Sequence, residues 1–421
     1  MEIKNRWYVV IGAVLIQLAL GAIYAWSVFT PKLVESGWTG AQTQAVFSTG
    51  LFFFAIIMVI AGRLMPKYGP QKVAMSGGFV LGSGYLLAGL LGGTNFIALL
   101  IFIGVIGGAG IGLAYVVPIA VGMRWFPDKK GLITGLAVAG FGFGAMLWVK
   151  LAGSWGQLIL TYGLSTTFTI LGIIFMAMVI IGGIWMVFPP SGWLPAGYSP
   201  KSSSETGGHR FDRDYNSKEM LKTPQFHFIS MTFAFGASAG LMSIGLMKLF
   251  PIQALEANGI SAMSASAIAG TAMAVFFSLA NGIGRIAWGA ISDKIGRKRS
   301  IIIMMATQGV FVICFQWMAG TPALLYLGAL LIGFNFGGNF SLFPTITSAV
   351  FGAKYIGQNY GWVFLAYGFG GILGPILGGM LGDMGNFPLA FTICGILCLT
   401  AAVIMSQIKP AVPVEEVPKT A

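Results

Sequence analysis

Charge is what this 421-residue sequence has least of. Only 9% of its residues are Asp, Glu, Lys or Arg, where a soluble domain carries about a quarter, and just 12 are acidic. Such a chain cannot cover itself with a water-wettable surface. Its 56% hydrophobic residues and mean hydropathy of +0.84 make a lipid bilayer the expected solvent. Histidine occurs only as His209 and His227, both at or outside a membrane boundary, and cysteine only as Cys314, Cys394 and Cys398. The cysteines stand inside apolar runs, where small buried thiols serve as packing residues rather than as redox or metal groups. With no His, Asp or Glu cluster in the apolar runs, no metal, no cofactor and no enzymatic reaction is expected. Glycine is abundant, in stretches such as GVIGGAGIG from Gly104, GLAVAGFGFG from Gly135 and GFGGILGPILGG from Gly368. None follows a strand and opens a helix, which excludes a dinucleotide site; close helix packing in a membrane accounts for them.

What the sequence does have is long apolar runs. A helix crosses a ~30 Å hydrocarbon core with about 20 residues, and runs of that order are read at 7–29, 42–64, 73–92, 96–122, 131–153 and 165–188. Six more are read at 226–251, 261–291, 300–320, 322–350, 357–382 and 387–407. The first exceeds the apolar core of a cleaved signal and is followed by eleven others, so it counts as a span. The stretch 189–224, containing SPKSSSETGGHRFDRDYN, reads as a solvated linker in preference to a docking site. The expected chain is therefore an all-α membrane protein of twelve transmembrane helices. A six-helix bundle at 1–188 and a second at 225–408 are joined by the linker and followed by a tail at 409–421.

Twenty of the 24 basic residues fall in the N-terminal segment, the loops after the even-numbered spans and the C-terminal tail. By the positive-inside rule those segments, and both termini, lie in the cytoplasm of a multi-pass protein of the plasma (inner) membrane. The net charge of +12 is thus a topology signal. A nucleic-acid partner would call for basic residues clustered on one soluble face, which the pattern lacks. Lys32, Lys150 and Lys248 stand near the outer ends, where Lys248 is placed to snorkel toward the interface. Arg285 is the one basic residue left inside a span.

Arg285 lies eight residues before Asp293, about 12 Å of helix, and so near the middle of the core. An intramembrane guanidinium costs several kcal/mol and marks a functional site by default. An ion pair would be the structural alternative, but all twelve acidic residues, from Glu2 to Glu416, fall in loops or tails. The remaining counter-ion is a transported anion. A carboxylate suits the site, because the planar guanidinium offers it two parallel hydrogen bonds and stays charged. Asn281, one turn earlier, shares the helix face and can orient the same ligand. Counting from span ends places Tyr115, Tyr367 and Phe340 near the midplane on the fourth, eleventh and tenth spans, with Tyr24 higher on the first and polar Asn339 beside Phe340. Cavity lining and plain helix packing both remain open for these residues.

The two halves echo each other. GRLMPKYGPQK from Gly62 returns as GAISDKIGRKR from Gly289, and WFPDKKGLITG from Trp125 as VFGAKYIGQNYG from Val350. Internal repeats with a midplane site between them are a common build for secondary transporters. In the second copy Asp293 places charge at a helix end beside basic residues, in a turn that Gly296 permits. Gly289, Asp293 and Arg297, with Arg124 and Asp128 of RWFPDKKG, are candidates for a latch at the cytoplasmic face. Pro66 replaces the Asp in the first copy.

GAISDKIGRKR resembles the turn motif of the major facilitator superfamily. Within it, NRWYVV from Asn5, AIYAWSVF from Ala22, GIGLAYVVPIAVGMRWFPDKKG from Gly110, EMLKTPQF from Glu219, NGIGRIAWGAISDKIGR from Asn281, SLFPTITSAVFG from Ser341 and QNYGWVFLAYGFGG from Gln358 are similar to the oxalate/formate antiporter group and bacterial monocarboxylate transporters. The resemblance runs from the first span through the eleventh. It implies the major facilitator fold and transport of a small organic anion by alternating access, in a unit that works as a monomer. Many of those monocarboxylate transporters carry an Asp, thought to help move a proton, where this sequence has Asn281. Oxalate exchangers of the group carry a second cation, a Lys, where it has Tyr367. A single cation leaves half of a dianion uncompensated, so the expected substrate is a short monocarboxylate of lactate, pyruvate or formate type. Oxalate/formate exchange is the runner-up, and a transporter-like receptor or sensor is the alternative from another class. Export of neutral or cationic compounds conflicts with a lone buried cation. Proton symport and anion exchange both stay open.

Overall fold

The computed structural model describes residues 5–153, 155–190, 192–195, 197–198, 214–247 and 249–408. Lys248, His209, much of the expected linker and the tail 409–421 lie outside the described residues. Among the described residues, twelve helices are long and apolar enough to cross a membrane. In the first half they are α1 (Trp7–Trp26), α2 (Ala45–Tyr68), α3 (Pro70–Gly92), α4 (Phe96–Trp125), α5 (Lys130–Ala152) and α6 (Leu158–Gly183). The second half has α7 (Pro224–Leu246), α8 (Ala262–Ile295), α9 (Arg297–Met318), α10 (Pro322–Phe351), α11 (Ile356–Gly382) and α12 (Phe387–Ser406). No strand occurs among the described residues. Phe79, Leu90, Trp317 and Phe369 are each at least 60% exposed, an outer surface that a bilayer tolerates and water does not.

The helices keep the expected order and shift at their ends. α2 continues through Pro66, past the expected stop at Leu64, and ends at Gly69 with φ +82°; α8 ends at Gly296 with φ +94°. Both copies of the repeated string thus close on a glycine in a backbone region that a side chain would strain. α7 stops at Leu246 rather than Pro251, and Pro251 instead enters a separate helix, Leu249–Ala257, in the first turn, where a missing N–H costs nothing. α6 starts early, at Leu158, with a break at Gly163 (φ 76°, ψ 176°), and finishes at Gly183, ahead of the paired prolines 189 and 190.

The packing repeats between halves. α1 lies on α5 and α6, α2 on α4, and α3 on α4 and α6; in the second half α7 lies on α11, α8 on α10, and α9 on α10 and α12. Across the halves α5 packs on α8 and α2 on α11, the two equivalent crossings of a pseudo-two-fold pair. At the end of the bundle that carries the basic loops, here the basic face, these crossings are backbone-close. A Cβ on Gly131 would collide with the Gly289 carbonyl, and one on Gly62 with that of Gly357. Small residues at these four positions let the halves close on each other.

Candidate functional site

Arg285 has 0% exposure and stands where α8 meets α5. Gly135 of α5 leaves no room for a side chain against the Arg285 carbonyl, so the backbone of α8 is drawn against the first half at this level. Arg285 Nε donates to Asn281 Oδ1 (2.9 Å) and Nη1 donates to the Val138 carbonyl (2.9 Å). The guanidinium carbon lies 4.1 Å from the Phe340 ring centre and 5.6 Å from that of Phe141. Cation–π attraction of this kind reaches about 2 kcal/mol in a dry site, which offsets part of the desolvation of the charge. No carboxylate pairs with Arg285 among the described residues, and Nη2 has no partner. Leaving a charged donor dry costs more than the ~1–3 kcal/mol of a neutral one.

Tyrosines surround the cation. Tyr115 of α4 and Tyr24 of α1 face it from the first half, Tyr360 and Tyr367 of α11 from the second, all within electrostatic reach of the guanidinium. The hydroxyls of Tyr24 and Tyr367 hydrogen-bond to each other across the halves, whereas those of Tyr115 and Tyr360 have no partner. Apolar rings complete the walls. Phe141 meets Tyr115 edge-on at 5.4 Å and Tyr24 at 5.2 Å, while Phe364 stacks on Tyr367 at 5.0 Å. Two of the helices depart from α geometry nearby, α1 as a 3₁₀ stretch from Gly21 to Val28 and α8 as a π-helical stretch from Ala272 to Phe277, while α4 stays α-helical through Pro118, one turn from Tyr115. Irregular turns in membrane helices are tolerated where they line a site.

The structure therefore brings together Arg285, Asn281, Tyr115, Tyr367, Tyr24 and Phe340. It does not bring in Asn339. The Asn339 amide donates to the Phe336 carbonyl and its oxygen lies beside Gly236 of α7, turned away from the cluster because α10 presents Phe340 to the cation instead. Asn281 uses its oxygen to hold Arg285. Sequence reasoning missed Tyr360, Phe141, Phe364 and the Val138 carbonyl. Of these only Tyr360 had a signal, standing seven residues, two helical turns, before Tyr367.

The sequence profile of the Major Facilitator Superfamily matches residues 9–276 and 228–421. The chain belongs to this superfamily. It is 31% identical over 374 residues, 88% of this chain and 86% of the relative, to YhjX, an uncharacterized transporter of the Major Facilitator type from Escherichia coli K12. It is 28% identical over 416 residues (96% and 92%) to the oxalate:formate antiporter of Oxalobacter formigenes, and 26% identical over 382 residues (79% and 67%) to apicoplast pyruvate carrier 1 of Toxoplasma gondii. Among solved structures, the E. coli fucose:proton symporter FucP matches with a TM-score of 0.63 at 16% identity over 95% of this chain and 98% of that one. The proton:xylose symporter XylE matches with 0.67 at 15% over 96% and 95%; at such identities they show the fold. Relatives and fold are those of transporters, not enzymes.

In this Major Facilitator chain the basic face holds the residues expected to form a latch. Asp293 accepts from the Gly131 N–H (3.0 Å) and the Leu132 N–H (2.9 Å) at the start of α5, and from Arg297 Nη2 (3.1 Å). A carboxylate of one half thus caps a helix of the other, where the helix dipole favours it. Arg124 Nη2 donates to the Lys354 carbonyl of the second half (2.5 Å) and stacks on Phe188 at 3.8 Å. Asp128 does not bridge the halves: it pairs with Arg6 of the same half at 2.8 and 3.2 Å. The end of the linker is docked rather than solvated. Asp214 accepts from the Lys354 N–H (3.1 Å), the Tyr215 N–H donates to the Phe351 carbonyl (3.0 Å), and Asn359 Nδ2 donates to the Tyr215 carbonyl (2.8 Å).

Proposed function

We propose that the protein is a secondary transporter of short monocarboxylates, of lactate, pyruvate or formate type, that binds its substrate through the Arg285 guanidinium. The observation that carries this reading is a fully buried cation whose Nη2 has no hydrogen-bond partner and which, among the described residues, touches no carboxylate. A carboxylate ligand completes it by accepting one N–H from Nη2 and the second N–H of Nη1, a charge-assisted, two-pronged pair. Asn281 holds the guanidinium in plane, Phe340 and Phe141 keep water from it, and Tyr24 with Tyr367 close the site between the halves. The pyruvate carrier and oxalate:formate antiporter among the relatives support a small organic acid.

The halves 1–188 and 225–408 move as units, with Asp293, Gly289, Arg297 and Arg124 holding the basic face shut in one state. That face lies in the cytoplasm, with both termini, in the plasma (inner) membrane, and the monomer is the working unit. A proton, where one is carried, travels on the substrate, since no Asp, Glu or His is buried among the described residues of the core. Oxalate/formate exchange is the second reading, favoured by the 28% identity to such an antiporter and opposed by Tyr367 standing where a second cation would be needed. Thermal-shift and uptake measurements on the purified protein against short mono- and dicarboxylates test the proposal. Stabilisation and uptake by monoanions alone is expected, and oxalate as the best ligand would overturn the choice of substrate.

A further inference from the structure

The two crossings that close the basic face are fastened by different means. Where α5 meets α8, Asp293 of the second half accepts from the Gly131 and Leu132 N–H groups of the first. At the equivalent crossing of α2 and α11, the first copy of the repeated string has Pro66 where the second has Asp293, so that position offers α11 no carboxylate. A carboxylate reaches this corner from the linker instead. Asp214 accepts from the Lys354 N–H (3.1 Å) in the turn between α10 and α11. The turn is shaped around it: Gly352 has φ +86°, and a Cβ there would collide with Asp214 Oδ1. The residues that follow keep Asp214 in register. The Tyr215 N–H donates to the Phe351 carbonyl (3.0 Å) and the Ser217 hydroxyl to Asn359 Oδ1 (3.1 Å). Asn359, at 0% exposure, donates back from Nδ2 to the Tyr215 carbonyl (2.8 Å).

Arg124 of α4 reaches the same turn from the first half, donating through Nη2 to the Lys354 carbonyl. Lys354 thus gives its N–H to the linker and its carbonyl to the first half. Only one residue's two soft dihedrals separate those groups, so holding the N–H restrains where the carbonyl points. We propose that Asp214 is a positioning residue of the transport cycle: it supplies at the α2–α11 corner the carboxylate that Pro66 cannot, and holds the 10/11 turn so that Arg124 fastens the first half to it. The linker is then a working part of the latch, although Asp214 touches no residue of the Arg285 site. This rests on the reading of Arg124 and Asp293 as a latch that opens and closes. Asp214 is exposed, so its charge is screened, and a several-fold effect follows from the lost hydrogen bond and the loosened turn.

The test uses the full-length purified protein with Ser348→Cys as a reporter. Ser348 lies one helical turn before Gly352, is 3% exposed, and meets Lys130 of the first half at 3.5 Å, so it is reached by a maleimide when the basic face opens. Labelling of the same chain without the reporter is subtracted. Asp214→Ala is expected to speed labelling about three- to ten-fold. In an Arg124→Gln background the same change should add less than about two-fold, because the contact it positions is already gone. An equal rise in both backgrounds would make Asp214 a fastener of the linker alone and overturn the inference. Unchanged labelling in Arg124→Gln overturns it without any change at Asp214, so poor folding of Asp214→Ala does not shield it. Faster labelling in Asp293→Ala and Arg124→Gln but not in Asp214→Ala sinks this inference alone. No change in any of the three sinks the latch reading with it.

Discussion

Asn281→Asp puts a carboxylate where an amide oxygen now accepts from Arg285 Nε at 2.9 Å. Two unit charges about 4 Å apart attract by ~4 kcal/mol at an effective dielectric of 20, and desolvating the new carboxylate takes back a large part of that. A net gain of about 1.5–3 kcal/mol, the range of a charge-assisted hydrogen bond, is left for the internal pair. The pair competes with the substrate for one guanidinium, so the apparent affinity for monocarboxylates falls roughly ten- to a hundred-fold at neutral pH. The sign of the pH effect follows. Arg285 stays protonated throughout, whereas protonating the introduced carboxyl frees the guanidinium and removes repulsion toward the bound anion. Substrate binding therefore takes up a proton in the variant, and its uptake rises as pH falls, more steeply than that of wild type. Initial uptake rates in proteoliposomes across a pH series, at matched protein, measure both quantities. A variant with the wild-type KM and a superimposable pH profile would show that Asn281 does not act on the binding charge, and the reasoning would fail.

Tyr367→Lys places a second cation beside the first, at the cost of the Tyr24–Tyr367 hydrogen bond; selectivity should move toward oxalate by about ten-fold or more relative to monocarboxylates, and an unchanged ratio in competition uptake would show that α11 does not set substrate charge. Asp293→Asn keeps an acceptor for only one of the Gly131 and Leu132 N–H groups, which bond to different carboxylate oxygens, sets its own NH2 against the other, and loses the charge at the helix end and the Arg297 ion pair. It should weaken closure of the basic face by about 0.5–2 kcal/mol, read as a several-fold faster labelling of a cysteine introduced beneath that face.

Arg285 could be found from sequence because charge in an apolar run is costly and every acid could be assigned to a loop. Depth was legible too: counting residues from a helix end gives height in the membrane, and Tyr115, Tyr367, Tyr24 and Phe340 all reach the cation. Rotation about the helix axis was not legible, since helices this apolar have no polar face to orient them. Asn339 stands at the right height and turns toward Gly236, while Phe141 and the Val138 carbonyl carry no signal in a string of apolar letters. Tyr360 was obscured by its place near a helix end, where a tyrosine reads as an interface residue. The latch was half legible. Asp293 announces itself by its motif, but that Asp128 turns to Arg6 and that Asp214 holds the 10/11 loop depends on contacts between segments distant in sequence. Helix ends moved where Gly163 breaks α6 and where Pro251 opens a new helix, local events that apolar run length does not report.

The central claim is that one buried guanidinium binds one carboxylate. Calorimetric titration of a short monocarboxylate into detergent-purified wild type and Arg285→Lys measures this most directly, because lysine keeps the charge and loses the planar fork. One site per chain in wild type and binding at least ten-fold weaker in Arg285→Lys is the result expected. Equal affinity in the two proteins for every acid that binds would take Arg285 out of the site and contradict the account.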